Sequence, residues 1–305
     1  MLHSHPRLLA LLIVSLLCVP AFAQDKKAAF TDAAKAGPDF AFQGEYEGEI
    51  DGKKLGAQVV ALGDDKFDIV IYDGGLPGNG WKKGDRKEKA TGTLKDGIVT
   101  IAAEKPATIK DGVLHLTGGS IKKVERKSPT LGAKAPAGAK ILFDGNTNDF
   151  APGKMTEDGL LAHGQTSKHK FTKSFTLHLE FRLCYQPYAR GQGRSNSGVY
   201  LSGGSEVQVL DSFGLEGKNN ECGGFYSKRE PNVNMCLPPL AWQTYDIEVT
   251  VGTGEKKDKT IATVKHNGVV IHEDYVIDFK NGGTLNLQDH GNPVAYRNIW
   301  IVEKD

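Results

Sequence analysis

The sequence predicts an all-β chain. A two-sheet sandwich or jelly roll is expected over residues 141–305, preceded by a small antiparallel β module over residues 40–126. Three observations carry this. Ser174 to Leu183 alternates strictly, with Phe175, Leu177, Leu179, Phe181 and Leu183 on one face and Thr176, His178, Glu180 and Arg182 on the other. That is the period of a strand with one buried side. Asp51-Gly52, Asp96-Gly97, Asp111-Gly112 and Asn267-Gly268 each separate strand-like runs, and such pairs suit two-residue hairpins. No amphipathic stretch exceeds two helical turns, and 37 glycines in 305 residues suit a turn-rich chain.

In chain order, the first element is Arg7 followed by an apolar run from Leu8 to Val19 and then Ala21-Phe22-Ala23. This is the pattern of a secretory signal peptide, residues 1–23, cleaved before Gln24. The run is too short to favour a membrane span. Export to the periplasm or cell exterior is expected. Export permits a disulfide among Cys184, Cys222 and Cys236, with Cys222–Cys236 the shorter pair; buried free thiols are the competing reading. Residues 24–39, rich in Ala, Lys and Asp, read as a flexible leader. Within the 40–126 module, Phe67 to Tyr72 alternates, and the segments after Asp96-Gly97 and Asp111-Gly112 share a pattern. Residues 127–140, KSPTLGAKAPAGAK, read as a linker from their Pro, Ala and Gly content. Gln243 to Val251 is a second alternating strand, with Tyr245, Ile247, Val249 and Val251 inward. Thr260 to His272 reads as a hairpin, and Val294 to Val302 as a closing strand.

The formal charge of +1 argues against nucleic acid or an anionic membrane as partner. No C-x-x-C or His-spaced zinc pattern occurs. The chemistry concentrates between Arg190 and Asp211. Glu206 and Gln208 fall on one strand face and Val207 and Val209 on the other. Strict alternation puts Asp211 with the valines; a bulge near Leu210 would bring it to Glu206. Arg190, Arg194 and Asn196 lie in a Gly-rich loop that no helix follows, so a phosphate-loop reading fails. Arginine forks there suit vicinal hydroxyls or an oxyanion. Tyr226, Lys228 and Asn234 form a second group of sugar-binding candidates, and Asp289 with His290 a third. The bland readings are a solvated strand face, a surface loop and a surface histidine. His163, His169, His178 and His266 are isolated and carry no expected chemistry.

The Glu206 segment is similar to the Glu-x-Asp-x-x-Glu signature of retaining glucanases of the laminarinase type, with Gln208 and Asp211 replacing the last two acids. More extensively, NSGVYL (196–201), EVQVLDSFG (206–214), ECGGFY (221–226), PPLAWQTYDI (238–247), VKHNGVVIH (264–272) and LQDHGNPVAYRNIWI (287–301), with ILFDGNTNDF (141–150), resemble the 3-keto-disaccharide hydrolase family. The resemblance implies a concanavalin-like jelly roll related to the laminarinase-type enzymes, in exported bacterial proteins of the planctomycete kind with an added N-terminal β module. It implies a substrate oxidised at C3, cleaved by C2 proton abstraction, elimination and hydration. On that basis Glu206 is expected as the base or as a metal ligand, and His290 or Asp211 as the proton donor. Arg194, backed by Arg190, would stabilise the enolate. Arg190, Arg194, Asn196, Gln208, Tyr226, Lys228, Asn234 and Asp289 are the expected substrate contacts. No cofactor is certain; a divalent metal such as calcium suits the fold, although no ligand set is legible. Two alternatives stay open: a non-catalytic carbohydrate-binding jelly roll, and a retaining β-glucanase that uses Glu206 and Asp211, which needs carboxyls about 5–5.5 Å apart.

Overall fold

The computed structural model describes residues 25–252 and 259–304. The expected signal segment lies outside the described residues. Eight antiparallel strands between Gly44 and Val124 close into a barrel. Its first strand, Gly44–Ile50, pairs with both the last, Gly119–Val124, and the second, Lys53–Ala61. Closure leaves no free edge. The barrel core is packed by Tyr46, Val59, Phe67, Ile69, Val99, Ile109, Leu114 and Ile121.

The rest is a concanavalin-like jelly-roll sandwich of a seven-stranded and a five-stranded sheet. The larger sheet runs Lys140–Phe143, Ala295–Lys304, Ser174–Arg182, Trp242–Thr250, Ile261–His266 and Val269–Val276, with Leu161–Ala162 beside Ala295–Lys304. The smaller runs Phe150–Ala151, Gln165–Phe171, Gly283–Leu287, Asn196–Leu201 and Ser205–Leu210. Phe175, Leu177, Leu179, Phe181 and Leu183 are buried between the sheets, as their alternation requires. They meet Val199, Val207, Val209 and Leu287 from the opposing sheet. At Asp51-Gly52, Asp96-Gly97, Asp111-Gly112 and Asn267-Gly268 both residues have positive φ, the conformation of a two-residue hairpin turn whose twist matches its strands.

Two segments differ from their sequence reading. Residues 25–39 dock between barrel and sandwich. Phe30 exchanges backbone hydrogen bonds with Tyr185 at 2.9 and 2.8 Å, and the rings of Phe30 and Phe40 lie 6.1 and 4.9 Å from that of Tyr185. Asp39 is buried and accepts a hydrogen bond from the Tyr185 hydroxyl. Phenylalanines spaced through a polar stretch therefore act as anchors.

The 127–140 segment is likewise no free linker in its first half. It forms a strap over the outer face of the seven-stranded sheet. Thr130 Oγ1 donates to Asp246 Oδ2 at 2.7 Å, and the Gly132 N–H donates to Glu180 Oε1 at 2.6 Å. The Ala133 carbonyl accepts from Asn298 Nδ2 and Trp300 Nε1. Beneath it His178 and Glu180 are fully buried, although alternation alone placed them on the polar side of their strand. His178 Nδ1 lies 2.6 Å from Asp246 Oδ1, and Arg297 Nε donates to Glu180 Oε2 at 2.7 Å. Burial disfavours both charges, but partners outweigh it. The bonds to Asp246 and Glu180 raise the His178 pKa above its ordinary value. Hydrogen bonds from His178, Asn298, Arg297 and Gly132 hold Glu180 at about 2.

The linkage has two signs. His178 contributes stability fully below its unfolded pKa of about 6.5, and loses it as pH rises through the higher folded value. Glu180 contributes above its unfolded value and loses it as pH falls toward about 2. Melting temperatures of the wild type should therefore decline above pH ~6.5 more steeply than those of His178→Gln. Parallel profiles for the two proteins would contradict this.

Candidate functional site

The candidate site lies on the outer face of the five-stranded sheet. Asn196–Leu201 and Ser205–Leu210 pair without a register shift: Tyr200 stands opposite Glu206, Gly198 opposite Gln208 and Asn196 opposite Leu210. Val199, Leu201, Val207 and Val209 are in the core, so Asn196, Gly198, Tyr200, Glu206 and Gln208 share the outer face. Asn286, opposite Tyr200 on the other side, extends the row.

Glu206 lies at its centre and is only 7% exposed. Its carboxylate rests over Gly198, where an added Cβ would fall 2.0 Å from Oε1. No side chain fits there without moving the acid. Tyr200 stands across the strand pair from Glu206, and its hydroxyl accepts from Gln288 Nε2 at 3.2 Å. Oε1 of Glu206 is buried with no partner in the protein, which disfavours the ionised form. Burial pushes the Glu206 pKa above its ordinary value; Tyr200 and the charge of His290 oppose this in part. Burial and the neighbouring acid push the Tyr200 phenol up to about 12.

The neighbouring amides are tied together. Gln208 Nε2 donates to Gln192 Oε1 at 3.1 Å, and Asn196 Nδ2 donates to the Gln192 carbonyl at 2.9 Å. Gln192 is anchored in turn by its own Nε2 on the Asn220 carbonyl. Asn196 Oδ1 is buried without a partner. Ser205–Leu210 is the last strand of its sheet, and the 223–226 loop covers its edge. Gln208 N–H donates to the Gly224 carbonyl, and the N–H groups of Gly223 and Tyr226 donate to the Gln208 and Glu206 carbonyls. The Tyr226 ring on that loop is 39% exposed. Lys228 is ion-paired with Asp278, whose N–H donates to Ser205 Oγ. His290 is exposed, and its charge reaches Glu206. Asp289 lies beside it, 3.0 Å from His163 Nδ1, and its pKa is lowered first by the Gly291 N–H.

Four expected site residues lie elsewhere. Without a bulge at Leu210, Asp211 departs toward the barrel junction and not toward Glu206. There Arg194 donates through Nε and Nη2 to Asp211 Oδ2 at 3.1 and 2.9 Å, with both residues buried. Both line a cavity of about 80 Å³ at the seam with the barrel. Arg190 is a clamp across the same seam, donating to the Leu62 carbonyl at 3.0 Å and to Pro187 and Ala189. Asn234 is consumed by the backbone: its Nδ2 donates to the Ser212 and Leu215 carbonyls and its Oδ1 accepts from Cys236 N–H. Of the two readings for Cys222 and Cys236, the structure has the free, buried thiols. Among the described residues no three His, Cys, Asp or Glu side chains converge as a metal-ligand set, so calcium has no acidic cage there.

Tyr200 and Gln192 escaped sequence reasoning, and Gln288, in the 287–301 segment, was given no role by it. Tyr200 was accessible to it, because alternation from Asn196 through Gly198 reaches Tyr200 on the Glu206 face.

Residues 138–302, just over half of the chain, match the 3-keto-alpha-glucoside-1,2-lyase-like domain. The chain belongs to that family. The match coincides with the sandwich and leaves out the barrel. This is therefore a carbohydrate-active, glycosyl hydrolase-like protein. Two solved structures of candidate glycosyl hydrolases from Parabacteroides distasonis ATCC 8503 are similar to it. One has 29% identity and a TM-score of 0.49, over 56% of this chain and 85% of its own. The other has 20% identity and a TM-score of 0.41, over 55% and 94%. No curated protein matches the chain. No helix among the described residues is long and apolar enough to cross a membrane.

The Arg194–Asp211 pair gives a direct test of its place at the seam. Removing one partner of a buried pair strands the other charge, so Arg194→Met should cost about 3–5 kcal/mol in urea unfolding. The double variant R194M/D211N, which leaves no charge stranded, should recover part of that loss.

Proposed function

We propose that the Glu206 face binds a glycoside oxidised at C3 and that Glu206 removes the C2 proton. The observation that carries this reading is a single, largely buried carboxylate of raised pKa on an otherwise neutral polar face. Retaining displacement needs a second carboxyl about 5–5.5 Å away, and Asp211 is bound to Arg194 at the seam instead. Elimination needs one base. A C3 ketone acidifies C2–H because the resulting carbanion delocalises onto the carbonyl oxygen. A base whose pKa approaches the working pH combines availability with driving force.

Glu206 takes the C2 proton, and the C–H electrons pass into the carbonyl. Their return forms the C1–C2 double bond and expels the C1 oxygen, which takes a proton from His290. Water then adds at C1 and a proton at C2, completing a net hydrolysis. Elimination across C1 and C2 agrees with the family's description as 1,2-lyase-like. The Tyr226 ring supplies an exposed aromatic surface for a sugar face, and the Asn196–Gln192–Gln208 amides fix a polar floor. Export belongs to the same proposal. It is supported by the Arg7, Leu8–Val19 and Ala21-Phe22-Ala23 pattern.

Glu206→Gln should lower kcat/KM on 3-keto-glucosides by about 10²–10⁴-fold. Turnover in deuterium oxide should place deuterium at C2 of the product; its absence there would overturn elimination in favour of direct displacement. Because Glu206 must be ionised to act, kcat/KM should fall as pH drops through a pKa above the ordinary glutamate value. An acid limb at or below that value would assign the base elsewhere.

A further inference from the structure

We propose that Tyr200 is a positioning residue for this reaction: its hydroxyl holds and aims the Glu206 carboxylate in the form that accepts the C2 proton. The proposal rests on the reading of Glu206 as base, and names the group that makes this base usable.

The geometry argues it from three sides. Tyr200 is the direct cross-strand partner of Glu206 on the same face, so the two side chains meet without any loop between them. Gln288 Nε2 donates to the phenol oxygen, which leaves the hydroxyl proton free for an acceptor such as the carboxylate. The bare Gly198 beneath lets the carboxylate lie down against the sheet on the Tyr200 face. The other groups around Glu206 do not replace it. His290 acts from the loop after Gly283–Leu287 through its charge. Tyr226 gives the Glu206 carbonyl its backbone N–H. Lys228 is engaged with Asp278. Tyr200 is thus the neutral donor that offsets the burial of Glu206. A phenol pushed up to about 12 stays a donor throughout the working range.

The test separates this role from a merely structural one. A hydrogen bond to a charged group is lost in Tyr200→Phe while the ring remains. The acid limb of kcat/KM should move up by about one to two pH units, with activity recovering at higher pH. Gln288→Met, which weakens the donor one bond further out, should move it in the same direction by less. Carbon-13 NMR titration of labelled glutamate, with Glu206→Gln assigning the signal, reads the carboxyl directly and needs no substrate. Glu206 should titrate above the ordinary range in the wild type and higher still in Tyr200→Phe. An unchanged Glu206 titration in folded Tyr200→Phe, or an equal loss of kcat at every pH, would overturn the proposal. If Glu206 titrates as stated but no 3-keto-glucoside is turned over, the substrate reading fails and the Tyr200–Glu206 link stands.

Discussion

The arrangement of the site depends on the unbroken pairing of Asn196–Leu201 with Ser205–Leu210. In a strand, one extra residue exchanges the two faces. Because the ladder is regular through Leu210, Glu206 and Gln208 face outward, the valines face the core, and Asp211 leaves toward the barrel. A single bulge would have placed two acids side by side and made nucleophilic displacement the natural chemistry. Its absence isolates one carboxylate, and burial raises the pKa of that carboxylate above its ordinary value.

The two sheets treat their outer faces in opposite ways. The seven-stranded sheet carries His178, Glu180 and Asp246 outward, and the chain's own strap closes over them with hydroxyls, an N–H and a carbonyl. The five-stranded sheet keeps its outer face open around Tyr226 and His290. Ionisable side chains are therefore no guide to function on this fold by themselves. Most of them in the larger sheet are satisfied internally, whereas Glu206 and Asn196 each keep an oxygen without a partner in the protein. Such unpaired acceptors mark where hydroxyl donors of a ligand can compensate a real cost.

Much of this was legible in the sequence. Period-two alternation located the Ser174–Arg182 and Trp242–Thr250 strands, and the Asp-Gly and Asn-Gly turns located hairpins, because both signals are local. The Glu206 face was legible for the same reason. Long-range contacts were not. Nothing within KSPTLGAKAPAGAK announces that Thr130 will meet Asp246, 116 residues away, or that Phe30 in a polar leader will pair with Tyr185. The arginines misled through composition: Arg190 and Arg194 sit next to the site in sequence, but Leu62 of the barrel and Asp211 are their actual partners. Asn234 misled likewise, since an amide able to bind sugar binds a backbone equally well.

The loop covering the edge of Ser205–Leu210 has a further consequence. It is held by main-chain hydrogen bonds to Glu206 and Gln208, so its attachment does not depend on the identity of the side chain at Tyr226. Backbone pairing blocks the strand-to-strand association that an open edge invites. The side chains above it can therefore change without opening the edge. Protection of the edge is thus written in the loop's main chain and the character of the outer surface in its side chains, and a lineage can change the second without losing the first.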